Sequence, residues 1–373
     1  MAGTPFMVMA GGTGGHVFPA LAVANALREA GHEVVWLGSR SGMEQRIAAE
    51  AGYPGVWVGI GGLRGKGLLT QLLFPLRLLW ACVQAARGIL RYQPKVLVGF
   101  GGFAAFPGAL MGVLLGRKLV IHEQNAVAGL TNRVLASLAD AVLTGFPDPF
   151  AMPSASPLAR PWPQPKTSRW VGNPVRASIL GMGDPQERFD ERGSGRLRIL
   201  VVGGSLGALA INQVLPEALA LIPPERRPFI FHQSGERHIE ALRDAYEAAG
   251  VMASCTPFIR DMATQYAMAD LVICRAGALT LAELAVVGVG ALLVPFPFAV
   301  DDHQTANARL LADAGAAVLL PQTQLTPTHL AQVLESLDRT HLAQMAVRAR
   351  SLARPQATRM VAEACLEMAG LRT

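Results

Sequence analysis

The chain has 373 residues, of which 51% are hydrophobic and 16% charged, with a formal net charge of +6. That length allows about two domains with cores of their own, and the hydrophobic content excludes a disordered chain. The four cysteines, Cys82, Cys255, Cys274 and Cys365, form no C-x-x-C pair and no charged segment with an apolar core opens the sequence, so neither a disulfide framework nor export is expected and a reducing cytosol is the default.

The apolar run Phe6 to Ala10 reads as a first strand, and Leu21, Val23, Ala24 and Leu27 then recur at helical spacing until Gly31 stops them. Between the two lies Gly11-Gly12-Thr13-Gly14-Gly15-His16, a strand-to-helix turn. Such turns bind anions: a helix start carries roughly half a positive charge, and missing side chains let a phosphate or sugar reach the backbone. A second strand is expected over His32 to Leu37.

From Ala51 to His122 there is no Asp or Glu, whereas Arg64, Lys66, Arg77, Arg87, Arg91, Lys95, Arg117 and Lys118 supply eight positive charges. The same segment holds the apolar stretch Leu68 to Leu90, with Phe74 and Trp80 and basic residues at intervals. Two readings fit it: a helix lying at an anionic membrane surface, where each Lys or Arg contributes about 1 kcal/mol, or a helix with a large buried face and a solvated basic edge. Nucleic acid is disfavoured as a partner because aromatics for base stacking are sparse. Gly99 to Gly116 is uncharged and long enough to span a bilayer, but its six glycines and Pro107 point instead to a buried strand over Lys95 to Phe100, a glycine turn and a tightly packed helix.

Further strands are expected over Lys118 to Ile121 and Ala141 to Leu143. The proline-rich stretch Pro147 to Trp170 suits a connection and not a core element. At Ile199 the opening order returns: an apolar strand, the turn Gly203-Gly204-Ser205-Leu206-Gly207, and a helical pattern. More strands follow over Phe229 to Gln233, Leu271 to Cys274, Ala291 to Val294 and Ala317 to Leu320, and Leu342 to Leu371 is helical by pattern. The fold class expected is α/β with two Rossmann-like domains, at 1–171 and 172–341, with a helix over about 342–373 packing back on the first. Their parallel sheets would face a cleft, with ligand sites at the carboxyl ends of the strands.

The known nucleotide fingerprints fail. Val17 stands where the third glycine of a dinucleotide turn belongs, and the second strand ends in Leu37-Gly38-Ser39-Arg40 without an acid. A P-loop fails because Ile60 stands five before Gly65 and Gly67 follows Lys66. Gly203 to Gly207 does satisfy G-x-S-x-G, so Ser205 could be a hydrolase nucleophile with Asp301 or Asp302 and His303 or His329 as partners. The alternative is that Ser205 holds a diphosphate, which suits a turn that opens a domain and copies a first-half turn lacking serine.

After the strand ending at Cys274, Gly277, Ala278 and Leu279 would present N–H groups to phosphate. Glu283 would either accept both hydroxyls of a ribose or form a capping box with Thr280, two roles that exclude each other. Asp302, His303, Gln304 and Asn307 suit sugar hydroxyls, although an N-cap at Asp301 or Asp302 also fits. With no H-E-x-x-H and no D-x-D, no metal and no cofactor is expected, so helix ends and side-chain donors must neutralise a departing diphosphate.

The motifs GGTGGHVFPALAVA from Gly11, GLRGKG from Gly62, HEQNAVAGLTNR from His122, VGNPVR from Val171, VVGGSLGA from Val201, CRAGALTLAEL from Cys274 and DDHQTANA from Asp301 closely resemble, in this order, the MurG family of peptidoglycan glycosyltransferases. The resemblance runs from Met7 to about Arg350. It implies a GT-B architecture and an inverting, metal-independent transfer of N-acetylglucosamine from UDP-GlcNAc to the C4 hydroxyl of N-acetylmuramic acid in undecaprenyl-pyrophosphoryl-MurNAc-pentapeptide, lipid I to lipid II. It implies a peripheral place on the cytoplasmic face of the bacterial plasma membrane, at an anionic surface, with cell-wall synthesis and division proteins as further partners.

Carried over by position, substrate contacts fall on Thr13, Gly14, Gly15, Asn125, Arg176, Ser205, Ile259, Ala278, Leu279, Thr280, Leu281, Ala282, Glu283 and Gln304. Glu283 would hold the ribose, Arg176 the nucleotide, Ser205 and Ala278 to Thr280 the diphosphate, Ile259 the uracil edge, and Gln304 with Asn125 the sugar. Acceptor pyrophosphate would lie on Gly11 to His16 and Gly101 to Gly108. His16 is the candidate base, since a helix N-terminus disfavours the imidazolium and leaves a ring able to accept a proton. Two departures stand out: Leu206 replaces the glutamine of the family's GGSQGA, and Gly101 to Pro107 reads GGFAAFP where GGYVSGP is frequent. A serine hydrolase, a UDP-sugar 2-epimerase and a peripheral lipid-binding protein are the rival functions.

Overall fold

The computed structural model describes residues 5–61, 72–151, 164–165, 167–204 and 207–371. The chain divides into two compact units, one of Met1–Arg176 with Pro355–Thr373 and one of Ala177–Arg354.

The first unit runs β1 (Phe6–Met9), α1 (Gly14–Glu29), β2 (Val34–Ser39), α2 (Met43–Glu50), β3 (Gly55–Val58), α3 (Phe74–Tyr92), β4 (Val96–Gly99), α4 (Ala105–Leu114), β5 (Lys118–Glu123), α5 (Leu130–Ala136), β6 (Ala141–Thr144) and β7 (Arg169–Trp170). Its seven strands lie in the order β3-β2-β1-β4-β5-β6-β7, every pair parallel. The inner strand β1 is wholly buried. Alternation sends Phe6 and Val8 to one face, under Val17, Val23 and Leu27 of α1, and Met7 and Met9 to the other, under Ala85 and Ile89 of α3 and Ala105 and Ala109 of α4.

Gly99 to Gly116 is the strand, turn and packed helix expected of it. A Cβ at Gly108 would stand 2.6 Å from the Met9 sulfur, and one at Gly112 2.8 Å from a Leu97 methyl, so glycine lets α4 lie close on the sheet. Among the described residues no helix is long and apolar enough to cross a membrane. Helix α3 buries Ala81, Cys82, Ala85, Gly88 and Ile89 and exposes Leu76, Leu79, Trp80 and Leu90, with the Arg87 guanidinium 5.8 Å over the Trp80 ring.

The second unit runs α6 (Ala177–Leu180), α7 (Pro185–Arg192), β8 (Arg198–Val202), α8 (Leu209–Ala220), β9 (Phe229–Gln233), α9 (Ile239–Ala248), β10 (Ser254–Thr256), α10 (Met262–Met268), β11 (Leu271–Cys274), α11 (Ala278–Val287), β12 (Gly290–Leu293), α12 (His303–Asp313), β13 (Ala317–Leu319), α13 (Pro327–Ser336) and α14 (Arg339–Ser351). Its six strands lie in the order β10-β9-β8-β11-β12-β13, again all parallel.

The terminal stretch read as one helix is two. Helix α14 ends before Pro355 and packs its Leu342 and Ala346 into the second unit's core, while α15 (Ala357–Met368) sets Val361 and Cys365 into the core beside α1. Proline cannot continue the hydrogen-bond ladder, so the chain changes direction there.

Candidate functional site

Both sheets reverse their strand order once, between β1 and β4 and between β8 and β11. At such a switch point the turns leaving the two strands diverge and open a crevice at their carboxyl ends. Small-residue turns occupy these four positions: Gly11 to His16 and Gly101 to Ala104 in the first unit, and in the second the turn that begins at Gly203-Gly204 and the turn Arg275 to Gly277.

In the first unit Gly12 has φ +96, which L side chains avoid. A Cβ at Gly102 would stand 2.2 Å from the Gly11 carbonyl oxygen, so the turns after β1 and β4 meet backbone to backbone. Helix α1 starts at Gly14 with Thr13 as N-cap and no side-chain capping bond, leaving its first N–H groups facing the turn. His16 sets Nδ1 3.3 Å from the Gly11 carbonyl oxygen and 3.4 Å from Thr13 Oγ1. A carbonyl only accepts, so this network assigns the ring proton to Nδ1 and the lone pair to Nε2. A Cβ at Gly101 would lie 3.4 Å from that nitrogen.

Asn125 follows β5 and is held by the buried carboxylate of Glu123. Oε1 accepts from the Asn125 backbone N–H at 2.9 Å and from its Nδ2 at 3.3 Å, and Oε2 accepts from Gly129 N at 3.1 Å and Asn132 Nδ2 at 2.9 Å. His122, on β5, is no base: burial pushes its imidazole down to about 4, Nε2 meets the Gly172 carbonyl at 2.9 Å, and Nδ1 meets Gln124 Nε2 at 3.1 Å. Arg176 carries its guanidinium 5.8 Å over the Phe18 ring of α1.

In the second unit Ser205, with Leu206, lies outside the described residues. The turn around it is braced by Gln233, whose Oε1 accepts from Gly204 N at 3.0 Å and whose Nε2 donates to the carbonyls of Gly204 at 2.9 Å and Pro257 at 3.0 Å. The hydrolase partners do not form the expected relay: His303 turns Nδ1 to the Val300 carbonyl at 2.7 Å and His329 to that of Gln324 at 3.0 Å, instead of to a carboxylate.

The capping-box reading of Thr280 and Glu283 is overturned. Helix α11 starts at Ala278 behind Gly277, so Thr280 is inside the helix and not its cap. Leu281 N bonds the Gly277 carbonyl at 3.0 Å as the first intrahelical donor, so the N–H groups of Ala278, Leu279 and Thr280 precede it at the helix's positive end. Ala278 and Leu281 bury their side chains, and Ala282 follows within the helix. Glu283 is also buried, and the Tyr266 hydroxyl on α10 donates to its Oε2 at 3.1 Å. Ile259 is buried in the loop after β10. Gln304 Oε1 accepts from Phe296 N at 2.9 Å, and Asn307 Nδ2 donates to the Ala276 carbonyl at 3.2 Å. Asp302 is the N-cap of α12 but takes the Thr305 hydroxyl at 2.7 Å, with no side-chain bond to the helix backbone.

Sequence reasoning missed the residues that brace these turns: Glu44, Glu123, Gln233 and Tyr266. The available signal was a polar side chain at or just after a strand's carboxyl end, which Glu123 and Gln233 both show.

Residues 6–144 match the glycosyltransferase family 28 N-terminal domain and residues 198–368 the family 28 C-terminal domain. With two doubly wound parallel sheets carrying glycine turns at their switch points, the chain is of the GT-B glycosyltransferase class. It is 56% identical over 363 residues to the UDP-N-acetylglucosamine--N-acetylmuramyl-(pentapeptide) pyrophosphoryl-undecaprenol N-acetylglucosamine transferase of Azoarcus sp. (strain BH72), covering 97% of this chain and 98% of that one. To the same-named protein of Dechloromonas aromatica (strain RCB) it is 53% identical over 363 residues, with the same coverage. The crystal structure of Acinetobacter baumannii MurG superimposes with a TM-score of 0.82 at 42% identity, covering 98% of this chain and 99% of that one. The chain belongs to the MurG family of glycosyltransferases.

Proposed function

We propose that the protein transfers N-acetylglucosamine from UDP-GlcNAc to the C4 hydroxyl of the N-acetylmuramyl sugar in undecaprenyl-pyrophosphoryl-MurNAc-pentapeptide. The observation that carries this is identity above half to transferases so named, over nearly the whole of each chain. The site geometry supports a division of labour. His16 Nε2 accepts the C4 hydroxyl proton as that oxygen attacks the anomeric carbon, the bond from that carbon to the diphosphate breaks, and UDP leaves with inversion. A positioned base of this kind contributes about 10² to 10⁴ in rate.

The donor rests on the second unit. The uncapped N–H groups of Ala278, Leu279 and Thr280, with Ser205, receive the diphosphate; Glu283 accepts the ribose hydroxyls, Ile259 meets the uracil edge through its backbone, Arg176 the nucleotide, and Gln304 with Asn125 the sugar. Thr13, Gly14 and Gly15 line the acceptor turn. Oriented peptide dipoles gain little in water but much in a closed, desolvated crevice, where charge on the leaving group develops against donors that need no reorganisation.

A peripheral position on the cytoplasmic face of the plasma membrane follows from an acceptor whose polyprenyl tail stays in the bilayer, and the apolar, basic surface of α3 supports it. Incubation with radiolabelled UDP-GlcNAc and a short-chain lipid I analogue tests the reaction. Label in a β-linked disaccharide lipid is expected. Conversion of UDP-GlcNAc to UDP-ManNAc, or to free sugar with no labelled lipid, would overturn it.

A further inference from the structure

Glu44 stands in the first turn of α2, its side chain wholly buried. Its Oε1 accepts from the Ser39 hydroxyl at 2.6 Å and from Ser39 N at 3.0 Å, and its Oε2 accepts from Gly12 N at 3.4 Å. Three glycines make room for it: a Cβ at Gly11 would stand 2.6 Å from Oε1, one at Gly38 2.7 Å from its Cγ, and one at Gly42 2.0 Å from Oε2. Burying a carboxyl group is costly unless hydrogen bonds replace its water, so the site is built for this side chain and is not a surface acid folded inward.

The group on its far side is the Gly11 peptide. That peptide is enclosed between Glu44, the backbone at Gly102 and the His16 ring, whose Nδ1 meets the Gly11 carbonyl. We infer that Glu44 is a positioning residue for the transfer reaction: through the Gly11–Gly12 backbone it holds the carbonyl that orients His16. This rests on His16 as the base. A displacement of about 1 Å at a reacting group costs up to roughly a hundredfold in rate, which sets the scale expected when the brace is lost.

The test is Glu44→Gln and, separately, Ser39→Ala, assayed for transfer to the lipid I analogue with each substrate varied in turn. For Glu44→Gln, kcat is expected to fall about 10- to 100-fold with a raised acceptor KM and an unchanged donor KM. Ser39→Ala, which leaves the carboxylate but removes its shortest bond, should show the same pattern more weakly. Wild-type kcat and acceptor KM in folded Glu44→Gln, or in Ser39→Ala where Glu44→Gln does not fold, would overturn the inference. His16→Ala separates the two claims: wild-type turnover there removes the base and its brace together, whereas an inactive His16→Ala beside an unperturbed Glu44→Gln removes only the brace.

Discussion

Three histidines show how environment, not residue type, decides what a ring does. His16 sits in a turn with one nitrogen on a carbonyl, while His122 and His232 are sealed in the units' cores, where burial holds them down to about 4 and about 3. His232 is satisfied by the Tyr246 hydroxyl at 2.9 Å and Asn212 Oδ1 at 3.1 Å. Both buried rings titrate below the ordinary value of 6.5, so at pH 5 the unfolded chain binds protons that the folded one does not. Stability from them is complete above about 6.5 and is lost as pH falls towards 4, by roughly 1–2 kcal/mol per ring at pH 5. Urea unfolding at pH 7 and pH 5 should show the loss, and His232→Gln should remove part of it; equal stability at both pH values would contradict this. Glu283 makes the second residue-scale case, because the helix start at Ala278 takes away its capping role. Glu283→Ala should raise the donor KM at least tenfold with acceptor KM unchanged, by loss of charge-assisted hydrogen bonds each contributing about 1.5–3 kcal/mol; a lowered melting temperature with unaltered KM would leave it a structural residue.

At the scale of elements, the buried inner strands and the edge strand β13 were legible, and the other three edge strands were not. Phe229–Gln233 and Leu271–Cys274 lie where their apolar runs put them, whereas β3, β7 and β10 were missed. All three are sheet edges of two to four residues, whose existence depends on pairing with a neighbour more than on their own sequence. The same holds at the site. His16 and Gly11 to Gly15 could be read from one contiguous turn, but Glu44 and Gln233 act on turns distant in sequence that only the fold brings near. Helix α3 has a buried face and an outward surface on which Arg77, Arg87 and Arg91 are exposed beside Leu76, Leu79 and Trp80, an arrangement that fits either of the two readings of the segment. If that surface meets anionic lipid, Arg77→Gln, Arg87→Gln and Arg91→Gln together should weaken sedimentation with anionic vesicles roughly a hundredfold, from about 1 kcal/mol per charge, and added salt should weaken the wild type likewise. Unaltered sedimentation would leave the basic edge merely solvated.

For the whole molecule, the repeated strand, glycine turn and helix at Gly11 and Gly203 announced two units of one design, and the glycine turns stand at the switch point of each sheet. What differs between the units is the chemistry hung on that shared frame: a histidine within the first turn of α1, and in the second unit an uncapped helix start with a buried glutamate one turn further on. The central physical claim is that these backbone dipoles and side-chain donors, with no bound cation, receive the negative charge that UDP acquires as it departs. The direct measurement is the initial rate of sugar transfer to the lipid I analogue after exhaustive treatment with EDTA. An unchanged rate is expected; loss of transfer that magnesium or manganese restores would contradict the claim.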